Sequence, residues 1–209
     1  MKKKAVYILV LIGIILALVS FIYDTEIVRF IENLRYFSLD YFLISISFAG
    51  QAIIVFFFLT SLFLWKEHKR RWIFPLWLTL ASSAIISYII KVLIHRPRPF
   101  QEGIVSVLGM GVYLLKESFL TWNFSFPSFE SMLVFAALPI LDKEFPKFKY
   151  FWFAFACFVA FSRVYFGMHY MSDVISGIVI GYLLGLLFVF VEERYSLGTK
   201  VMKKLKIKK

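Results

Sequence analysis

Three groups of residues have types and spacings suited to chemistry on an anion. The first is Lys91-Val-Leu-Ile-His-Arg-Pro-Arg98-Pro99. Lys91 closes an apolar run, and Pro97 and Pro99 impose an extended exit that aims Arg98 from a stiff backbone. A lysine point charge beside a planar arginine fork makes a phosphate receptor, although two cations at a helix end also read as snorkelling side chains. The second is Ser125-Phe126-Pro127-Ser128-Phe129-Glu130-Ser131, at the start of another apolar run. Pro127 suits a first helical turn and Ser125 a cap, and the helix end at Ser128 favours an anion. Glu130 is the odd member, because a carboxylate suits the dipole but repels a phosphate.

The third group is Ser162-Arg163, a turn at Gly167, then His169 and Asp173. Residues four apart share a helix face. A carboxylate bonded to one imidazole nitrogen fixes the tautomer and leaves the other nitrogen free to act as a nucleophile. Arg163 brings a third cation. A lone His–Asp pair reads as a buried polar contact; with Lys91, Arg98 and Arg163 on one side of a membrane, catalysis is the better reading.

The elements that must position these groups are apolar. Of 209 residues, 61% are hydrophobic and 18% charged, with 26 Phe, against roughly 45–50% apolar in a soluble domain. Lipid is the expected solvent. Six candidate spans cover about 5–23, 39–65, 72–94, 127–141, 150–166 and 171–191, of which the fourth and fifth are short for a helix that needs about 20 residues. The expected fold is therefore all-α, a polytopic membrane protein of six transmembrane helices. Residues 1–193 form one domain and 194–209 a basic tail. The first run follows Met1-Lys2-Lys3-Lys4, lacks a small-residue cleavage site and reads as a retained span rather than a signal peptide. The stretch 24–38 reads either as an amphipathic helix on the outer surface or as a connecting helix packed on the bundle. The connection 95–126 is long enough to expect a function. The five Trp lie mostly near span ends, as an interfacial belt does.

The net charge of +11 would point to nucleic acid in a soluble protein. Here the basic residues sort by side. With the N-terminus inside, 17 of the 24 fall in inside segments with five acidic residues, and seven with eight acidic residues fall outside. Both termini are thus expected in the cytoplasm and the three groups on the periplasmic or extracellular side of the plasma membrane. The tail, KVMKKLKIKK, is expected to meet anionic lipid headgroups. No nucleic-acid partner is expected, and the oligomeric state is not legible. The lone Cys157 excludes an internal disulfide framework. His68, His95 and His169 lie on different segments, and no nucleotide loop occurs, so neither a metal nor another cofactor is expected.

Taken together, the three groups resemble the type-2 phosphatidic acid phosphatase family, membrane lipid phosphatases related to vanadium haloperoxidases. Its pattern is Lys, six residues, Arg-Pro; then Pro-Ser-Gly-His; then Ser-Arg, five residues, His, three residues, Asp. The first is complete as Lys91, Arg98 and Pro99, and the third as Ser162, Arg163, His169 and Asp173. The second keeps Pro127 and Ser128 but has Phe129 for Gly and Glu130 for His. The resemblance implies hydrolysis of a lipid phosphate or pyrophosphate. Lys91, Arg98, Ser128, Ser162 and Arg163 would bind the phosphoryl group, His169 would attack it and Asp173 would orient His169. Position 130 would protonate the leaving oxygen. Glu130 is open to three explanations: an introduced inactivating change, a natural general acid, or a natural pseudoenzyme. Undecaprenyl pyrophosphate, phosphatidylglycerophosphate, phosphatidate and the 1-phosphate of lipid A all suit such a site. The alternatives are a lipid-phosphate binding or transport protein without catalysis, and transfer of the phosphoryl group between lipids.

Overall fold

The computed structural model describes residues 3–65, 67–106 and 124–204, and no strand occurs among them. The helices are α1 (Lys3–Glu32), α2 (Phe37–Ala49), α3 (Ala52–Leu64), α4 (Ile73–Ile94), α5 (Phe129–Glu144), α6 (Lys149–Tyr165), α7 (Met171–Tyr195) and α8 (Leu197–Lys204). Short 3-10 segments, Glu67–Trp72 and Pro146–Phe148, precede α4 and α6. Apolar side chains such as Ile22, Ile53, Phe57 and Leu93 remain exposed on the outside of the bundle. That is the surface of a protein whose solvent is lipid.

One helix is enclosed by its neighbours rather than by lipid. That helix is α5, in which every residue from Ser131 to Leu141 is buried. Its tightest neighbour is α7, where Gly177, Gly181 and Gly185 recur every fourth residue along one face. A Cβ at these positions would stand 2.5 Å from the Ser128 carbonyl oxygen, 2.1 Å from that of Met132 and 2.2 Å from that of Ala136. Small residues in that pattern let two backbones touch. The contact fixes the axial register of the two helices, so Asp173, one turn before Gly177, meets the start of α5. There the Ser128 N–H donates to the Asp173 carbonyl at 3.1 Å.

Charged groups gather at the two ends of the bundle. At one end Lys69 donates to the Glu144 carbonyl, Arg71 pairs with Glu144, and Lys143 pairs with Glu193. Trp72 Nε1 also donates to Glu144. The tail helix α8 is tied there through its Gly198 N–H, which donates to Glu192. The other end holds Asp24, Arg96 and Asp173 in one ion-paired cluster.

Several expectations about the elements change. Residues 24–32 continue α1 without a break, and Asp24, Val28 and Ile31 are buried, so this stretch packs on the bundle rather than lying on the outer surface. The second span is not one rod: α2 and α3 meet at a bend of 62° across Gly50 and Gln51. At the bend Val159 of α6 fills the space a Cβ on Gly50 would need. Among the described residues three helices are long and apolar enough to cross a membrane, or four if the bent pair counts as one span. By that measure α5 and α6, with 16 and 17 residues, fall short. The burial of α5 explains its length: a helix sheathed by its neighbours need not match the bilayer itself. Of the 95–126 connection, residues 107–123, Trp122 among them, lie outside the described residues, as do Lys66 and residues 205–209 of the tail.

Gly181→Val should force α7 away from Met132. The expected cost is about 1–3 kcal/mol, read as a lowered thermal midpoint of the detergent-solubilised protein; an unchanged midpoint would contradict the glycine contact.

Candidate active site

The site is assembled at the ends of four helices. His95, in the left-handed conformation at φ 52°, stops α4 one turn after Lys91. The chain then leaves as Arg96-Pro97-Arg98-Pro99 and turns back through Gln101, whose side chain accepts from the Arg98 N–H at 2.8 Å. Arg98 Nη1 reaches the Met168 carbonyl at 3.4 Å. Burial lowers the Arg98 pKa from its ordinary value; the Glu130 carboxylate opposes this shift and the Arg163 guanidinium adds to it.

The second group departs from its expected geometry. Pro127 does not enter the helix but follows a cis peptide bond, and Ser128 is the residue that caps α5. The Ser128 hydroxyl pairs with that of Ser131 at 2.9 Å instead of a backbone N–H. Ser125 caps nothing; its hydroxyl donates to Asp173 Oδ2 and its carbonyl points at the histidine.

A tight turn joins α6 to α7. Gly167 adopts φ 69°, and a Cβ there would lie 2.4 Å from Val105 Cγ2. Both the left-handed backbone and the lack of room demand glycine. Through this turn the Met168 and His169 N–H groups fold back onto the Arg163 carbonyl, at 3.0 and 3.2 Å. Arg163 itself reaches across to α2. Its Nη2 donates to the Ser47 hydroxyl at 2.7 Å and the Ser47 carbonyl at 3.1 Å. That carbonyl is available because α2 ends: the Gln51 N–H, which would close the next helical turn, bonds Phe48 instead. Arg163 Nε is buried with no hydrogen-bond partner among the described residues.

The imidazole is where the structure corrects the expected arrangement most. His169 Nδ1 lies 2.7 Å from the Ser125 carbonyl, whereas Asp173 Oδ2 is 3.8 Å away. A carbonyl only accepts, so Nδ1 carries the proton and the neutral ring presents its lone pair at Nε2. Asp173 is held by other donors: Arg96 Nη1 at 2.7 Å, the Tyr170 N–H at 2.8 Å and the Ser125 hydroxyl. It supports the imidazole through Ser125 and through its charge rather than by a direct bond.

Around Nε2 the structure brings together Glu130, whose Oε2 is 3.7 Å away, and Arg163, whose Nη1 is 3.7 Å from Glu130 Oε1. Lys91 Nζ donates to the Phe124 carbonyl at 2.6 Å and approaches the Ser125 carbonyl at 3.4 Å, so it also braces the segment that orients His169. Lys91, Arg98, Arg163, His169 and Asp173 are each no more than 4% exposed. A quarter of the Glu130 side chain is exposed, which makes it the accessible member. Ser162 is adjacent in sequence but spends its hydroxyl on the Val159 carbonyl of its own helix. Among the described residues, no group of three His, Cys, Asp or Glu side chains could hold a metal.

Residues 72–195 match the family model described as the PAP2 superfamily. The chain belongs to the PAP2 superfamily. Its fold is shared with a transmembrane PAP2-type phosphatidylglycerolphosphate phosphatase from Bacillus subtilis. The TM-score is 0.70 at 22% identity, over 93% of this chain and 98% of that one. It is also shared with Aquifex aeolicus LpxE, at a TM-score of 0.62 and 24% identity, over 79% of this chain and 94% of that one. A comparison with curated protein sequences finds no match. This PAP2 chain adds Asp24 and Arg96, which motif spacing did not single out, and gives Ser125 a role other than the expected cap. Asp24 carried one available signal, a carboxylate closing an apolar run; the Ser125 carbonyl carried none.

Asp173→Ala would leave the Arg96 cation facing Asp24 alone, with the Ser125 hydroxyl and Tyr170 N–H unpaired. Breaking a buried pair from one side costs about 3–5 kcal/mol, and thermal unfolding in detergent should show it; a midpoint within error of the parent would contradict the network.

Proposed function

We propose that this chain is a membrane lipid phosphatase that cleaves a lipid phosphate monoester or pyrophosphate through a phosphohistidine. The observation that carries the reading is the fixed tautomer of His169. Its Nδ1 proton is committed to the Ser125 carbonyl, so Nε2 offers a lone pair among three buried cations. The orphaned Arg163 Nε is a buried donor that an oxyanion would satisfy.

In this mechanism Lys91, Arg98 and Arg163 hold the phosphoryl oxygens and offset charge in the transition state. The Ser128 end of α5 adds its dipole. Nε2 attacks phosphorus as the bond to the lipid oxygen breaks. Glu130, a carboxylate beside Arg163 before substrate binds, takes up a proton as the phosphoryl group occupies the three cations, and gives it to that oxygen. The charge that builds on the imidazole is offset by Asp173, held as a carboxylate by Arg96. Water then attacks the phosphohistidine and passes its proton to the Glu130 carboxylate. Phosphate leaves, and the electron pair of the N–P bond returns to Nε2. The accessible side chain of Glu130 supports its role at the side from which the lipid enters. Phe126 and Phe129, near Glu130 in sequence and both half-buried, offer apolar surface suited to a lipid.

The sidedness of the basic residues supports an outward-facing site and cytoplasmic termini. Lys200, Lys203 and Lys204 on α8 are exposed and would meet anionic headgroups at the opposite face.

The test is phosphate release in detergent from phosphatidate, phosphatidylglycerophosphate, undecaprenyl pyrophosphate and lipid A. Both the parent and Glu130→His should turn over at least one of them, and Glu130→Gln should lose about 10²–10⁴-fold, the usual share of a general acid. His169→Ala should show no turnover and Asp173→Asn a reduced rate. If both Glu130 and Glu130→His forms are inert on the whole panel yet bind these headgroups saturably, the chain is a lipid-phosphate binding protein instead.

A further inference from the structure

Arg96 lies between the Lys91 and Arg98 of the first motif but has a different task. Its guanidinium joins two buried carboxylates from distant parts of the chain. Nη1 donates to Asp173 Oδ1 and Nη2 to Asp24 Oδ2, each at 2.7 Å. Nη1 also meets the Ser172 hydroxyl at 2.8 Å. The guanidinium carbon sits 4.0 Å from the centre of the Tyr170 ring and 4.7 Å from that of Phe21. Arg96 is thereby clamped between α1 and the start of α7, with its planar fork satisfied on both sides.

The backbone of the same residue reaches the histidine by a second route. The Arg96 carbonyl accepts from the Ser125 N–H at 2.7 Å, and the Ser125 carbonyl accepts from His169 Nδ1. Both groups that act on Nδ1, the Ser125 carbonyl and the Asp173 carboxylate, are therefore held by Arg96. Asp24, which anchors it, lies on α1, outside the 72–195 segment that matches the family model.

We propose that Arg96, anchored by Asp24 and Phe21 of α1, is a positioning residue for His169, acting through Asp173 and Ser125. The kinetic consequence rests on the phosphatase reading above; the charge coupling does not. Asp24 and Asp173 are both buried, and both flank Ser172, whose N–H and hydroxyl donate to Asp24. Without the guanidinium between them, two like charges share one apolar site and one carboxylate takes up a proton. Where the two share one proton, Asp173 loses part of the charge that offsets the imidazolium. Removing the Asp24 charge should then relieve the defect.

The experiment uses whichever of the parent and Glu130→His forms turns over. Arg96→Gln should lower kcat about 100-fold, the scale of a small misplacement of a reacting group, with KM within about twofold. Asp24→Asn added to Arg96→Gln should recover about tenfold of that loss. Two lesions that lowered activity independently would add instead. Arg96→Lys keeps the charge without the fork and should fall between the parent and Arg96→Gln. An unchanged kcat in Arg96→Gln or Arg96→Lys, a rise confined to KM, or a further loss on adding Asp24→Asn would overturn the proposal. If Arg96→Gln does not fold, the Arg96→Lys result decides. If neither form turns over any substrate, the phosphatase reading fails separately. The thermal midpoints of Asp24→Asn, Arg96→Gln and the double variant then decide the coupling, where non-additive shifts support it and additive shifts overturn it.

Discussion

Asp173 is fully buried at one end of an apolar bundle, and an unpaired carboxylate there would cost several kcal/mol. The pairing that removes this cost organises the surrounding structure. Arg96 supplies the countercharge, Asp24 balances the second face of Arg96, and Ser125 and the Tyr170 N–H fill the remaining lone pairs. Each of these partners comes from a different segment: α1, the exit from α4, the approach to α5 and the start of α7. Satisfying one buried charge thus brings four parts of the chain to one point. His169, four residues before Asp173, is placed beside them as a result.

Helix packing supplies the rigidity that such a network needs. Backbone contact along Gly177, Gly181 and Gly185 leaves α7 no freedom to slide on α5, so Asp173 and Ser128 keep their register. The break in α2–α3 does similar service for Arg163. Because α2 ends just after Ser47, a main-chain carbonyl is released to anchor the guanidinium. The three cations do not cluster by chance in an apolar interior; each is held by backbone carbonyls or hydroxyls that remain available where helices stop. In the proposed mechanism they form a preorganised set of donors for the phosphoryl group, the arrangement that stabilises developing charge most effectively.

Much of this was legible in the sequence, for physical reasons that differ by residue. Lys91, Arg98, Arg163, His169 and Asp173 stand out because ionisable groups next to long apolar runs need a purpose, and their spacing carries the family resemblance. The fourfold glycine spacing in α7 was equally visible and points to close helix contact. Ser125 was visible only as a candidate cap, because its decisive group is a backbone carbonyl that every residue possesses. Asp24 was concealed by its place at the end of an apolar run, where a carboxylate reads as a surface group. The number of crossings was less legible, for a related reason. Apolar length alone does not separate a helix facing lipid from one, such as α5, enclosed by other helices.

The central claim is that His169 Nε2 becomes covalently bonded to phosphorus. The direct measurement is rapid acid-free quenching of the enzyme with a lipid substrate labelled in its phosphate, followed by peptide mapping. The account predicts a phosphoryl group that is stable to base, labile to acid and located on His169, appearing before free phosphate is released. Turnover that proceeds with inversion at phosphorus and no labelled His169 would contradict it.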